Sequence, residues 1–388
     1  MFWEKEGKLI YSYDGETVCI EAWGKDALRV RATKNRSFTG RDWALEAKDA
    51  HAGEVEIFED PSAKGGAFAN MYEGTDTSYG KITNGKLHAV IDSGSVITFY
   101  HEDGRVLVKE HFRRLRDEES MPLNIMGREY SNGVGDNFRI VTRFVARKGE
   151  KIFGMGQYQQ HELDLKGCML ELAQRNSQVS VPFYLSSIGY GFLWNNPGVG
   201  QVMFANNGTE WVTESGKEID YLVIAGDTPA EIEENYMTLT GKPPMMPEYG
   251  MGFWQCKLRY RTQDEVLSVA REYKRRGIPL DVIVIDFFHW TRQGDWKFDP
   301  ACWPDPDAMV KELNDMGTKL MVSIWPTVDV DSVNNRELAQ MGGLIQADHG
   351  SLYSTFMGYT TYFDATHPGA REVIWREAKK NYFDKGID

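Results

Sequence analysis

Cysteine is scarce, with four in 388 residues, Cys19, Cys168, Cys256 and Cys302, far apart along the chain. Their spacing fits no metal-ligand pattern, and so few thiols in a chain of this length build no disulfide framework. Long apolar runs are also missing. No stretch approaches the roughly 18 uninterrupted apolar residues of a spanning helix, so no membrane partner is expected. The N-terminus, Met1-Phe2-Trp3-Glu4-Lys5-Glu6, lacks the basic segment and apolar run of a secretory leader, and a cytoplasmic protein is the expectation. Positive charge is in deficit, with 44 Lys and Arg against 57 Asp and Glu and a formal net charge of −13. That balance repels phosphate backbones, and no basic stripe offsets it, so nucleic acid is excluded as a partner.

Aromatic rings, by contrast, are plentiful: 11 Trp, 18 Tyr and 19 Phe. Most such rings pack cores, but Trp placed just after a strand also suits a cleft that holds sugars. The chain is long enough for two or more domains. Residues 1–244 read as β structure, with short runs at Thr17 to Ile20, Leu28 to Ala32, Leu87 to Ile91, Ser95 to Tyr100, Phe138 to Phe144 and Tyr221 to Ile224. Asp14-Gly15, Asn84-Gly85, Asp103-Gly104 and Asn207-Gly208 punctuate them as turns, the pattern of a β-sandwich. A helix is expected from Thr228 to Thr240, capped by Asp227 or Thr228 with Pro229 in its first turn. The stiff segment Gly241-Lys242-Pro243-Pro244-Met245-Met246-Pro247 then marks a domain boundary.

Residues 245–388 change period. Met251 to Trp254 reads as a short strand, and Thr262-Gln263-Asp264-Glu265 as a capping box opening a helix that Gly277 closes. Val282-Ile283-Val284-Ile285 is the uninterrupted apolar run of a buried parallel strand. A helix opened by Asp305-Pro306, a third strand at Leu320 to Ile324 and a helix from Ala370 to Lys385 follow. This is a parallel α/β pattern with no G-x-G-x-x-G turn, which favours a (β/α)8 barrel over a dinucleotide fold. Only three complete units precede the last residue, so the expected architecture is a β-sandwich followed by the first, incomplete half of a barrel.

Barrels carry their binding residues at the C-terminal ends of strands. Trp254 is placed there on the first strand, Asp286-Phe287-Phe288-His289-Trp290 on the second and Trp325 on the third. Asp286, following four β-branched residues, is either a ligand-binding carboxylate or a strand-end cap. Three Trp at strand ends suit a carbohydrate cleft, though a packed Trp cluster would look the same. His289 could be a metal ligand or general base, but no second histidine stands at ligand spacing. Asp295 and Asp299 suggest an acid–base pair, against which stands the ordinary reading of exposed loop aspartates.

Phe153-Gly154-Met155-Gly156-Gln157, Arg175-Asn176 and the run from Val181 to Gly191 resemble the N-terminal β-sandwich of glycoside hydrolase family 31. Pro244 to Trp254 and Gly277 to Asp286 resemble the start of its barrel. The resemblance implies a retaining α-glycosidase with no metal or organic cofactor, working through two aspartates about 5 Å apart. In the family the nucleophile lies on the fourth barrel strand and the acid–base farther on. Both are expected beyond Asp388, which is itself not taken as the nucleophile, so no catalytic residue is assigned and this chain alone is expected to be inactive. Asp286 matches the aspartate that binds the 4-hydroxyl of the nonreducing sugar, and Trp325 matches an aromatic wall. Phe288 stands where family α-glucosidases typically carry an aspartate and α-xylosidases an apolar residue. With Trp254, His289 and Trp290 these form the expected substrate-binding set. Gly294 to Pro300 and Tyr362 to Thr366 also resemble the α-xylosidase branch. The implied activity is an α-xylosidase on xyloglucan-type oligosaccharides, with an α-glucosidase, a transglycosylase or an inactive carbohydrate-binding chain as alternatives. Homo-oligomerisation is left open.

Overall fold

The computed structural model describes residues 1–61, 77–111, 113–115, 123–346 and 358–387. The chain forms two compact units, Met1–Pro243 and Pro244–Asp388.

The described strands of the first unit all pair antiparallel. Phe2–Lys5, Lys8–Tyr13, Glu16–Trp23 and Ala27–Thr33 form a meander, and the last of them pairs with Ile219–Ala225. The sheet continues through Tyr190–Trp194 and Val179–Ser186 to Ile152–Gln157. Two five-stranded sheets, one from Glu54–Phe58 to Val106–Lys109 and one built around Phe138–Phe144 and Gly208–Gly216, share a core with it. Tyr221 joins all three, its ring 6.2 Å from Phe99 and 5.4 Å from Phe144. Side chains alternate along a strand, so Leu222 and Ile224 face away from Tyr221. They pack instead with Ile232 and Leu239 of the helix Pro229–Thr240, whose Thr228 cap accepts from the Glu231 amide. The strand Ile219–Ala225 is therefore buried along its whole length.

A sheet covered on both faces must pair any charge it holds. Arg29 and Asp220 sit diagonally on neighbouring strands, both fully buried. Arg29 Nε and Nη2 donate to the two Asp220 oxygens at 3.0 and 2.6 Å, and Nη1 donates to Asp42 at 2.8 Å. Asn195 adds a third donor to Asp220 at 2.8 Å, and Trp23 lies under the guanidinium, 4.6 Å away. Burial opposes the Arg29 charge, but the Asp220 and Asp42 carboxylates outweigh it and raise its pKa. Burial pushes Asp220 up to about 6 against the pull of Arg29, which leaves the pair ionised at neutral pH.

In the second unit Trp254–Lys257, Val282–Ile285 and Lys319–Val322 form a parallel sheet in chain order. The helices Gln263–Arg276, Pro306–Asp315 and Pro368–Asn381 add Val266, Ala270, Met309, Leu313 and Val373 to a core with Ile283, Ile285 and Leu320. Thr262 caps the first helix by accepting from the Glu265 amide, and Gly277, at φ 66°, ends it. The Glu265 carboxylate, expected to complete a capping box on Thr262, accepts from the Arg261 amide instead. Among the described residues no helix is long and apolar enough to cross a membrane.

Three expectations shift. The apolar run Met251 to Trp254 is not the first strand: Glu248–Met251 is a 3-10 turn, and the strand is the more polar Trp254–Lys257. Backbone hydrogen bonds outweigh apolarity here, because Phe253 donates to the Asp281 carboxylate at 2.8 Å and accepts from the Asp281 amide at 3.0 Å. The last helix stops at Asn381 rather than Lys385, giving way to a 3-10 turn, Phe383–Lys385, closed by Gly386 at φ 79°. A strand pair, Thr327–Asp329 with Thr360–Tyr362, and a short helix, Asn335–Gln340, were not foreseen.

Asp220→Asn leaves Arg29 buried with the partly exposed Asp42 as its remaining hydrogen-bonded counter-charge. The expected cost is about 3–5 kcal/mol, read as a lower urea midpoint with unchanged slope. A loss below about 1 kcal/mol would show that the site relaxes enough to hydrate Arg29.

Candidate functional site

Ile285 and Val322 are register partners, so the residues that follow them leave the sheet side by side. Asp286 and Phe287 extend the second strand, while Ser323, Ile324 and Trp325 extend the third, tied by the Ser323 amide donating to the Ile285 carbonyl at 3.0 Å. Four rings meet there. Trp325 lies 4.9 Å from Phe287 in a stacked arrangement, 5.5 Å from Phe288 and 5.8 Å from Trp290. Phe288 and Trp290 are 5.9 Å apart. Phe287, Phe288 and Trp325 are half-buried, whereas Trp290 is 7% exposed and its indole nitrogen has no hydrogen-bond partner among the described residues.

Asp286 stands half-buried beside these rings. One carboxylate oxygen accepts from the adjacent Phe287 amide at 2.8 Å. Among the described residues no cation pairs with it. A carboxylate left with acceptor capacity next to aromatic faces can take hydroxyl donors while the rings cover C–H surfaces. That combination fits a carbohydrate.

The structure brings Asp286, Phe288, Trp290 and Trp325 together, but not the remaining two expected residues. Trp254 is level with Val282, four residues below Asp286 and roughly 13 Å from the strand end at ~3.3 Å per residue. It opens the first strand rather than ending it, is 41% exposed and donates to the Gly250 carbonyl at 3.1 Å. His289 is 0% exposed and points into the core, with Trp290, Phe298 and Tyr382 around it at 4.8, 5.0 and 5.5 Å. Its Nδ1 meets the Asp286 carbonyl at 3.5 Å and its Nε2 the Tyr382 hydroxyl at 2.9 Å. The carbonyl can only accept, which puts the proton on Nδ1 and leaves Nε2 to accept from Tyr382. Both nitrogens are engaged, so His289 is open neither to a metal nor to a sugar. It anchors the backbone under the site.

The segment after Trp290 also differs from an exposed loop. Asp295 is 3% exposed and accepts from the Val333 amide at 3.0 Å, so it fastens a turn rather than serving as an acid or base. Trp296 is buried and donates to the Trp325 carbonyl at 2.9 Å, with Phe363 against its ring at 6.4 Å. The segment buttresses the aromatic wall. Asp388 lies outside the described residues.

Arg259 was missed. It follows the first strand, and its Nη1 donates to the Phe288 carbonyl at 3.0 Å while its guanidinium lies 5.4 Å from the Phe288 ring centre. Had the first strand been assigned to Trp254–Lys257, the strand-end rule would have pointed to it.

Residues 17–202 match the glycosyl hydrolase 31 N-terminal galactose mutarotase-like domain, and residues 243–388 match the glycosyl hydrolases family 31 TIM-barrel domain. Over 99% of its length the chain is 46% identical to an uncharacterized family 31 glucosidase, ORF2, of Pseudescherichia vulneris, covering 72% of that protein. The chain belongs to glycosyl hydrolase family 31. It is also 33% identical to alpha-xylosidase A of Aspergillus niger, with 96% of this chain matching 51% of that one. Among solved structures, a family 31 α-xylosidase from a soil metagenome, in complex with xylose, superposes with a TM-score of 0.87 at 47% identity. That match covers all of this chain and 56% of the other. Against these two relatives the chain spans about half their length. The family motifs noted around Phe153, Val181 and Gly277 are borne out, as is a β-sandwich followed by barrel-type strands.

Burial lowers the His289 pKa from 6.5 to about 4, with only the Asp286 carbonyl opposing. Below pH 6.5 the unfolded chain binds a proton that the folded chain refuses, so this contribution is full above that pH and lost as pH falls toward 4. Thermal unfolding followed between about pH 7 and pH 4.5 should show wild type losing on the order of 2 kcal/mol more than His289→Gln. Equal losses would mean that the imidazole becomes charged in place.

Proposed function

We propose that the strand-end cluster binds the nonreducing sugar of an α-xyloside, and that the protein is a retaining α-xylosidase acting on xyloglucan-type oligosaccharides. The observation that carries the reading is the place of Phe288, packed against Trp325 and Trp290 two residues beyond Asp286. Asp286 accepts a hydroxyl of the bound sugar, Trp325 and Phe287 face its ring, and Phe288 fills the space that a hydroxymethyl group would need. Xylose has no such group. A glucoside would press its 6-hydroxyl against a ring without a partner, at about 1–3 kcal/mol. The α-xylosidase of Aspergillus niger and the xylose-bound metagenome enzyme support the same choice. An α-glucosidase is the second reading, favoured by the name of the Pseudescherichia vulneris relative. Hydrolysis and transfer share one covalent intermediate and differ only in the acceptor.

Two substitutions test this in the protein at the full length of its relatives. Asp286→Asn should lower kcat/KM on an aryl α-xyloside by at least about a hundredfold, since a charged hydrogen bond is worth about 1.5–3 kcal/mol and its alignment matters most in the transition state. A change below about threefold would reduce Asp286 to a cap on Phe287. Phe288→Asp should raise kcat/KM on the α-glucoside relative to the α-xyloside, because the carboxylate supplies a partner for the 6-hydroxyl. A double ratio near unity would remove the main support for the xyloside reading.

A further inference from the structure

We propose that Arg259 is a positioning residue that locks Phe288 into the conformation that sets sugar specificity. The inference rests on the α-xylosidase reading for the direction of its effect on substrate choice, but not for its geometry. Phe288 has φ 61°, in the left-handed region that a bulky residue with a Cβ avoids. Such a residue keeps this conformation only when its surroundings hold it there. The sequence supplies no glycine or asparagine to ease the turn, so the hold must come from contacts.

Two of those contacts belong to Arg259. Its Nη1 donates to the Phe288 carbonyl at 3.0 Å, fixing the peptide that follows the unusual φ. The same guanidinium lies over the Phe288 ring at 5.4 Å, opposite in role to the Trp325 and Trp290 contacts that bound the ring elsewhere. One rigid group thus holds both the backbone and the side chain of a single residue. Lysine could satisfy either contact but lacks the planar fork that serves both. Among the described residues no carboxylate pairs with Arg259, although it is only half-exposed. The anchor is also well mounted: Arg259 follows the first parallel strand and Phe288 the second, and Lys257 and Ile285 are register partners.

The test uses the protein at the full length of its relatives, with Arg259→Met, Arg259→Lys and each combined with Phe288→Gly. In Arg259→Met the preference for an aryl α-xyloside over the α-glucoside, as a ratio of kcat/KM values, should fall by about fivefold or more, and Arg259→Lys should keep part of it. Glycine adopts positive φ freely, so in the Phe288→Gly background Arg259→Met should have no further effect on that ratio. A crystal structure of Arg259→Met should show Phe288 out of the left-handed region or its ring displaced from Trp325. An unmoved Phe288, or an equally large effect in the Phe288→Gly background, would overturn the proposal. Should Arg259→Met fail to fold, the structure of Arg259→Ala, which also removes both contacts, decides on the same criterion. A wild-type enzyme that prefers glucosides would count against the α-xylosidase reading alone, while the position of Phe288 in the variant structure would still decide the role of Arg259.

Discussion

The paired hydrogen bonds between Phe253 and Asp281 set the register of the first two parallel strands, and the site takes its geometry from that register. With Phe253 held by Asp281, Trp254 pairs with Val282 and Lys257 with Ile285. The next residues on the first strand to reach the sheet end are then Leu258 and Arg259, opposite the Asp286 to Phe288 segment. In a parallel sheet a slip by one residue would turn the alternate side chains to the other face. Arg259 would then leave Phe288. The side chain of a single aspartate at the start of a strand thus determines what stands at its far end. A side chain at Gly252 would collide with that carboxylate, which explains a glycine there without any appeal to turn geometry.

The sandwich meets a different constraint. Its central strand is buried on both faces yet carries Asp220, and the neighbouring strand carries Arg29 nearly two hundred residues earlier in the chain. Replacing such a pair by apolar residues often costs nothing, whereas removing one partner is severe. The pair therefore acts mainly as a selector. Pairing Ala27–Thr33 with another strand, or shifting its register, would bury a guanidinium without its fork of acceptors. Late pairing of distant segments is where a sheet of this size is most exposed to error.

What was legible in the sequence followed from patterns that local physics enforces. Strands bounded by Asp-Gly and Asn-Gly turns, the helix caps at Thr228, Thr262 and Asp305, and the apolar run Val282 to Ile285 were placed to within a few residues. The first barrel strand was misplaced because apolarity there favours Met251 and Phe253, while the deciding bonds involve Asp281, twenty-eight residues away from Phe253. The same error carried Trp254 into the site and left Arg259 out. His289 was grouped with its neighbours because adjacency in sequence cannot say which way a side chain points once the strand has ended. Phe288 at positive φ breaks the alternation, sending His289 inward to Tyr382, whose position depends on where the last helix ends. Asp286, Phe288, Trp290 and Trp325 could be placed at the strand ends from the sequence because those ends are fixed by the fold.

The chemistry of the site follows from how little polarity it contains. Aromatic residues follow Asp286 in the chain, burial disfavours a charge on the His289 imidazole, and the Arg259 guanidinium is committed to the Phe288 carbonyl. A carboxylate in such surroundings interacts more strongly with a hydroxyl than it would in water, because fewer dipoles compete for it. A neutral ligand with several hydroxyls and apolar C–H faces satisfies both halves of this environment. An anionic ligand would meet Asp286 with like charge and, among the described residues, no cation paired with that carboxylate to offset it. On the α-xyloside reading proposed above, discrimination comes from shape: the rings that would favour a sugar also leave an added hydroxymethyl group without a hydrogen-bond partner, and a pocket built this way rejects it by that unmet bond as much as by bulk.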